Sequence, residues 1–230
     1  VSAGTPISPA MRQRLKGLAV PIAMALGRLG LTPNALTIIG FIGTCVAALA
    51  AASQAWVLAG ALVIVFGIFD LFDGALARTT GRVTKFGAFL DSTLDRTGEN
   101  LVLGGIAFAC ASLGFDEGVA LAILALAIGS MVTYTRARAE GIGVHGEVGV
   151  APRPERLVLI AIGLIAAGWD GDLGPASGPI PPGMACAGAC IEAGGVGLLA
   201  ALGLLTLLSA ITVIQRIVHV YRQTEGDSSS

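Results

Sequence analysis

The dominant pattern along the chain is a succession of apolar runs, each close to the length needed to cross a bilayer. A helix requires roughly 20 apolar residues to traverse about 30 Å of hydrocarbon. Six such runs can be drawn, at 34–53, 55–77, 86–112, 118–139, 154–169 and 193–220. Residues 8–30 follow a different rhythm. Met11, Leu15, Leu18, Ile22, Leu26 and Leu29 recur at helical spacing with basic residues on the other faces, which predicts an amphipathic helix along the membrane surface, kinked at Pro21. Pro33 suits the start of the first span and Asn34 its cap. Residues 170–192, rich in Gly, Pro and Ala, read as an irregular loop. The pattern therefore predicts one all-α integral membrane domain over 1–230. It comprises a juxtamembrane helix at 8–30, a six-helix bundle over 34–220 and a disordered tail at 221–230.

Composition agrees. Of 230 residues, 54% are hydrophobic and 13% charged, with a mean hydropathy of +0.82, which excludes an ordinary soluble domain. All 14 Lys and Arg residues fall on one side of the six-span topology, whereas Asp116, Glu117, Asp170, Asp172 and Glu192 lie on the other. Basic residues mark the cytoplasmic side. The expectation is a multi-pass protein of the cell membrane with both termini in the cytoplasm, no cleavable signal and no nucleic-acid partner. Cys45 and Cys110 read as packing residues inside spans, while Cys186 and Cys190 lie in the outer loop, where a bridge is chemically permitted. Spans rich in small residues favour a homodimer.

Four aspartates disturb the apolar pattern. Asp70, Asp73, Gly74 and Ala77 share one helical stripe, and Gly87, Asp91 and Asp95 share another on the next helix. The short connection TTGRVTK makes these helices antiparallel neighbours, so the stripes should face each other near the cytoplasmic side. Converging carboxylates in a partly desolvated cavity repel unless protons or cations neutralise them. Two divalent ions would balance the charge, and oxygen-only ligands point to Mg²⁺ or Mn²⁺ with coordination sites left for phosphate oxygens. The small Gly74, Ala77 and Gly87 leave room for a bulky ligand, and Arg78 is placed for a phosphate. The parts suit metal-assisted phosphoryl transfer.

The spacing Asp70-x2-Asp73-Gly74-x2-Ala77-Arg78-x8-Gly87-x3-Asp91-x3-Asp95 resembles the complete signature of the CDP-alcohol phosphotransferase family. That resemblance implies a six-span membrane enzyme with a cytoplasm-facing site. It implies metal ligands at Asp70, Asp73, Asp91 and Asp95, with Asp95 also the catalytic base. It further implies CDP contacts from Gly74, Arg78 and Gly87, and from Asn34, Thr37 and Thr84. The implied reaction is attack of an acceptor hydroxyl on the β-phosphorus of CDP-diacylglycerol, with release of CMP.

The acceptor is read from arginines. Arg136, Arg153, Arg156 and Arg216 gather near one cytoplasmic loop and the last span, and fixed guanidinium groups favour an acceptor carrying its own phosphate. Positive-inside signals are the alternative explanation. The segments YTRARAEG and RPERL are similar to those of family members that join CDP-diacylglycerol to inositol 1-phosphate, although Arg136 stands where lysine is expected. That resemblance makes these four arginines an inositol-phosphate pocket. Glycerol 3-phosphate as acceptor and an archaeal-type donor with ether-linked chains fit the same signature. A divalent-cation transporter is the rival of another class, but it predicts acids spread through the bilayer and inverted repeats. His145 and His219 are expected to be solvated, and Glu99, four residues past Asp95, has no assigned part.

Overall fold

The protein is described by a computed structural model that covers residues 20–144, 148–150, 153–169 and 193–227. These residues form helix α1 (residues 20–28), then α2 (Pro33–Ala52), α3 (Trp56–Thr79), α4 (Lys85–Ser112), α5 (Asp116–Gly141), α6 (Arg153–Trp169) and α7 (Ala193–Asp227). No strand occurs among the described residues. Helices α2, α3, α5 and α7 are long and apolar enough to cross a membrane. Helix α4 carries Lys85, Asp91, Asp95, Arg96 and Glu99, and the 17-residue α6 carries Arg153, Glu155 and Arg156. The large side chains on the outside are apolar, Leu49, Phe108 and Ile214 among them, as a lipid-facing surface requires. The chain is an all-α multi-pass membrane protein.

Local chemistry sets the helix ends. Pro33 occupies the first turn of α2, where a missing N–H costs nothing, so the cap falls one residue earlier: Thr32 accepts a hydrogen bond from Ala35 N at 3.2 Å. Asn34, the expected cap, is thereby left free of that duty. Gly81, at φ +66°, reverses the chain between α3 and α4, and Thr84 caps α4 by accepting from Gly87 N at 3.0 Å. Helix α7 runs on to Asp227, so residues 221–227 are helical where disorder was expected. Bonds within the last turns support it, including Tyr221 OH to Glu225 at 2.5 Å and Thr224 OH to Val220 O at 3.1 Å.

The apolar stripe of α1 also differs from expectation. Ala23 is fully buried and Leu26 packs on Leu36, Ala75 and Leu76, while Ile22 and Leu29 are 47% and 79% exposed. Small residues decide which side docks, because a Cβ on Gly27 would lie 2.7 Å from Leu76 Cδ1. Residues 8–19, the loop at 170–192 with Cys186 and Cys190, His145 and residues 228–230 lie outside the described residues.

The principal helix contacts run α2–α3–α6–α7–α5–α4 and back to α2, a closed ring. Helices α3 and α4, joined by a short turn, do not pack along each other; α2 packs on both. A large apolar cluster, with Trp56, Val63, Leu103, Ile106, Ile160, Leu164 and Leu202, fills the ring beyond the acidic residues. The smaller one under α1 closes the other end. Glycines permit this closeness: a Cβ on Gly60 would lie 3.0 Å from Ala161 O, and one on Gly105 would sit on the Ala48 carbonyl oxygen. Small residues read as a hint of homodimerisation are thus used between helices of one chain.

Replacing Gly105 by leucine should lower the thermal midpoint of the detergent-solubilised protein, by an amount corresponding to about 1–3 kcal/mol of overpacking. The neighbouring change Gly104→Leu, at a position with nothing within 4 Å of the added Cβ, should leave the midpoint in place.

Candidate active site

Asp70 and Asp73 lie one turn apart on α3, and Asp91 and Asp95 one turn apart on α4. The ring brings three of them together: carboxylate oxygens of Asp70, Asp91 and Asp95 lie within 4.8 Å of one another. Asp73 stands beside this group. It is 5% exposed, and its Oδ2 accepts a hydrogen bond from Thr37 OH on α2 at 2.6 Å. The helix wedged between α3 and α4 therefore supplies a ligand to one acid rather than merely a wall. Asp91 Oδ1 is buried with no hydrogen-bond partner.

An arginine from α6 enters the same cluster. Arg153 Nη1 forms ion pairs with both Asp70 Oδ2 and Asp95 Oδ2. Sequence spacing had grouped Arg153 with three other arginines, and the structure separates them. Arg156 is 3% exposed, lies 2.5 Å from Glu99 Oε1 and donates to Gly129 O at 3.2 Å. Arg216 donates to Val132 O and, at 2.7 Å, to Val148 O. Arg136 pairs with Glu140 at 2.8 Å on the exposed end of α5. Arg156 and Arg216 both donate to carbonyls of α5, Gly129 and Val132, one turn apart. Arg153 alone reaches the aspartates.

The residues expected to hold CDP fare differently. Asn34, Thr37, Gly74, Arg78, Thr84 and Gly87 all line one cavity of ≈ 300 Å³, together with Asp73 and Asp91. Local structure explains the assembly. The cap at Thr32 leaves the Asn34 side chain to face Gly87, where an added Cβ would lie 3.0 Å from Asn34 Oδ1. Arg78 folds back over Gly74, its Nη1 3.3 Å from the position a Cβ would take. Arg82 lines the same cavity and was missed, because its place in the α3–α4 turn read as a topology signal. His219 lies 2.5 Å from Gln223 on α7 and touches none of these groups.

Clustered carboxylates with an unpartnered buried oxygen suit a hard divalent cation, with Asp70, Asp91 and Asp95 as the tight donor set and Asp73 adjoining it. Fold and site together define a membrane-embedded protein in which acids from two helices meet inside a helical ring.

Comparison with known proteins gives that class its family. The CDP-alcohol phosphatidyltransferase model matches residues 30–220, and the chain belongs to that family. The phosphatidylinositol phosphate synthase of Streptomyces avermitilis is 38% identical over 217 residues, covering 91% of this chain and 81% of that protein. The archaetidylinositol phosphate synthase of Methanothermobacter thermautotrophicus is 40% identical over 139 residues, 60% of this chain and 69% of that one. Among solved structures, phosphatidylinositol phosphate synthase (PgsA1) of Mycobacterium tuberculosis with CDP-DAG bound superposes with a TM-score of 0.72. The sequences are 32% identical, and 88% of this chain and 93% of that chain are covered. The same protein in complex with manganese and citrate gives 0.70 at 31% identity, over 88% of each chain.

Changing Asp91 to Asn should weaken Mn²⁺ binding, followed by electron paramagnetic resonance, at least as much as the about 10–100-fold loss caused by removing groups that only hydrogen-bond to metal ligands. Helix content should not change. Unaltered Mn²⁺ affinity would remove Asp91 from the donor set.

Proposed function

We propose that the protein transfers a phosphatidyl group from CDP-diacylglycerol to inositol 1-phosphate, giving phosphatidylinositol phosphate and CMP. The observation that carries this reading is the cavity that unites the six expected nucleotide residues with Asp73 and Asp91, flanked by Arg153 at Asp70 and Asp95. Relatives named for phosphatidylinositol phosphate and for archaetidylinositol phosphate share the inositol phosphate part of the name, which favours that acceptor over glycerol 3-phosphate. The second name keeps an ether-linked donor as the alternative lipid.

In this reading the cytidine and its phosphates lie along Asn34, Gly74, Arg78, Thr84 and Gly87, with the lipid chains in the bilayer. Arg78 neutralises phosphate charge, and Thr37 holds the Asp73 carboxylate in one orientation. Arg153 receives the acceptor's own phosphate at the edge of the cluster. Asp95 takes the proton of the acceptor hydroxyl, whose oxygen bonds to the β-phosphorus as the bond to CMP breaks. Asp70, Asp73, Asp91 and Asp95 would hold two ions, Mg²⁺ or Mn²⁺, which would supply positive charge to the attacking and leaving oxygens. Arg136, Arg156 and Arg216 complete the surroundings of the acceptor phosphate in this reading, Arg136 from the exposed end of α5 and the other two from the interior.

Helices α4 and α6 complete a six-span topology, because each stands in the ring between two helices that are themselves apolar enough to span. Residues 20–33 and the site then face the cytoplasm in the cell membrane, on the side that holds Arg78, Arg82 and Lys85. The homodimer keeps only its sequence support.

Protein reconstituted in lipid with CDP-diacylglycerol and Mg²⁺ should release CMP when given inositol 1-phosphate. Glycerol 3-phosphate, free inositol and serine should be poor acceptors. Turnover with free inositol or serine, but with neither phosphorylated compound, overturns the reading. The change Gly87→Ala should raise the donor KM about tenfold, equivalent to about 1.4 kcal/mol, and leave the acceptor KM alone. Arg153→Lys should do the reverse, because lysine cannot reproduce the planar fork.

A further inference from the structure

Glu99 has no part in the transfer described above, yet it is among the most deeply buried charges, 3% exposed. It follows Asp95 by one turn on the same face of α4. Its partner, Arg156, follows Arg153 by one turn on α6. The two helices stand on opposite sides of the ring and share no extensive packing. They are joined instead by two charged rungs: Asp95 with Arg153, and Glu99 with Arg156 at 2.5 Å, an ion pair whose angle falls short of a hydrogen bond. Arg156 is also fixed from a third helix, donating to Gly129 O on α5, and its Nη2 takes the space a side chain at 129 would fill. Arg96 lies within electrostatic range of Glu99 and of both arginines.

Buried ion pairs add little net stability over apolar residues of similar volume, whereas removing one partner is strongly destabilising. Stability alone therefore does not account for a charged rung among apolar helices. Setting the register between α4 and α6 does, because these two helices share no extensive packing of their own and the charged rungs are the direct side-chain links between them. We propose that Glu99, through Arg156, is a positioning residue that sets α6 against α4 and thereby holds Arg153 at Asp70 and Asp95. The kinetic part of this inference rests on the proposed transfer reaction; the structural part does not.

A double-mutant cycle on the full chain in lipid nanodiscs tests it, comparing the parent, Glu99→Gln, Arg153→Lys and the pair. Two quantities are read: Mn²⁺ affinity by electron paramagnetic resonance, and KM for inositol 1-phosphate. Each single change should shift both, the KM by about tenfold. Glu99→Gln should add nothing once Arg153 has been replaced. Shifts that multiply, or a lowered thermal midpoint with both quantities unchanged, overturn the proposal. Should Glu99→Gln fail to fold, Gly129→Ala displaces Arg156 without removing a charge, and the same non-additivity with Arg153→Lys is required of it. A parent protein that binds Mn²⁺ but releases no CMP with inositol 1-phosphate refutes the transfer reading, while the Mn²⁺ cycle still decides the role of Glu99.

Discussion

Repulsion between carboxylates is the constraint around which the bundle is arranged. At separations near 4.8 Å and an effective dielectric of about 20, each pair of unit charges opposes the other by on the order of 3 kcal/mol. Asp70, Asp91 and Asp95 share one site at the cost of that repulsion unless protons or positive charge relieve it, and the helical ring brings positive charge from the far side. Arg153, 83 residues distant from Asp70 in sequence, reaches across to pair with Asp70 and Asp95. The remaining acid is handled differently: Asp73 takes a neutral hydroxyl from Thr37. That division leaves Asp73 and Asp91 facing one cavity, while Asp70, Asp95 and Glu99 line a smaller enclosed space on the other side of the cluster.

Close helix approach makes the arrangement possible. Lipid offers no hydrophobic advantage to association inside the bilayer, so contact must come from fit. Gly60 meets α6, Gly105 meets the backbone of α2, and Gly98 lies against Thr44 beside the polar interior. A side chain at these positions would push α2 or α6 outward and separate the arginines from their acids. The glycines of the cavity play a second part. Gly74 and Gly87 place backbone, rather than side chain, next to Arg78 and Asn34, which leaves those two groups to face the enclosed space.

Much of this was legible along the chain because its signals are periodic. The helices follow from apolar runs, and the two acidic stripes follow from spacings of three and four residues. Gly74, Arg78 and Gly87 belong to a signature on α3 and α4, and the resemblance it carries points also to Asn34, Thr37 and Thr84; all six line one cavity. What periodicity cannot supply is the partner across the bundle. It gives the azimuth of Glu99 on its own helix but not that Arg156 stands opposite, nor that, of the four arginines, Arg153 pairs with the aspartates while Arg156 and Arg216 donate to α5 carbonyls. The short α3–α4 turn suggested direct packing, yet α2 comes between them, because a turn fixes which ends are close and leaves the splay of the helices to their other neighbours. The cap of α2 moved from Asn34 to Thr32 for a local reason, the fit of Pro33 to the first turn, and that shift of two residues places Asn34 in the cavity wall.

The two helices outside the set long and apolar enough to span, α4 and α6, carry Asp91, Asp95, Glu99, Arg153 and Arg156, while α3, within that set, carries Asp70 and Asp73. Helix α4 stands between α2 and α5, and α6 between α3 and α7, each flanked by apolar neighbours. Ionisable side chains inside a bilayer are tolerated where they face the bundle interior and find partners. The interior face of α4 and α6 brings Asp95 to Arg153 and Glu99 to Arg156, while Leu101, Phe108, Val158 and Ile162 on the same two helices are exposed. The same interior face makes the pairing of α4 with α6 depend on charge rather than on packing, so that the chemistry of the site and the alignment of its walls reside in one set of residues.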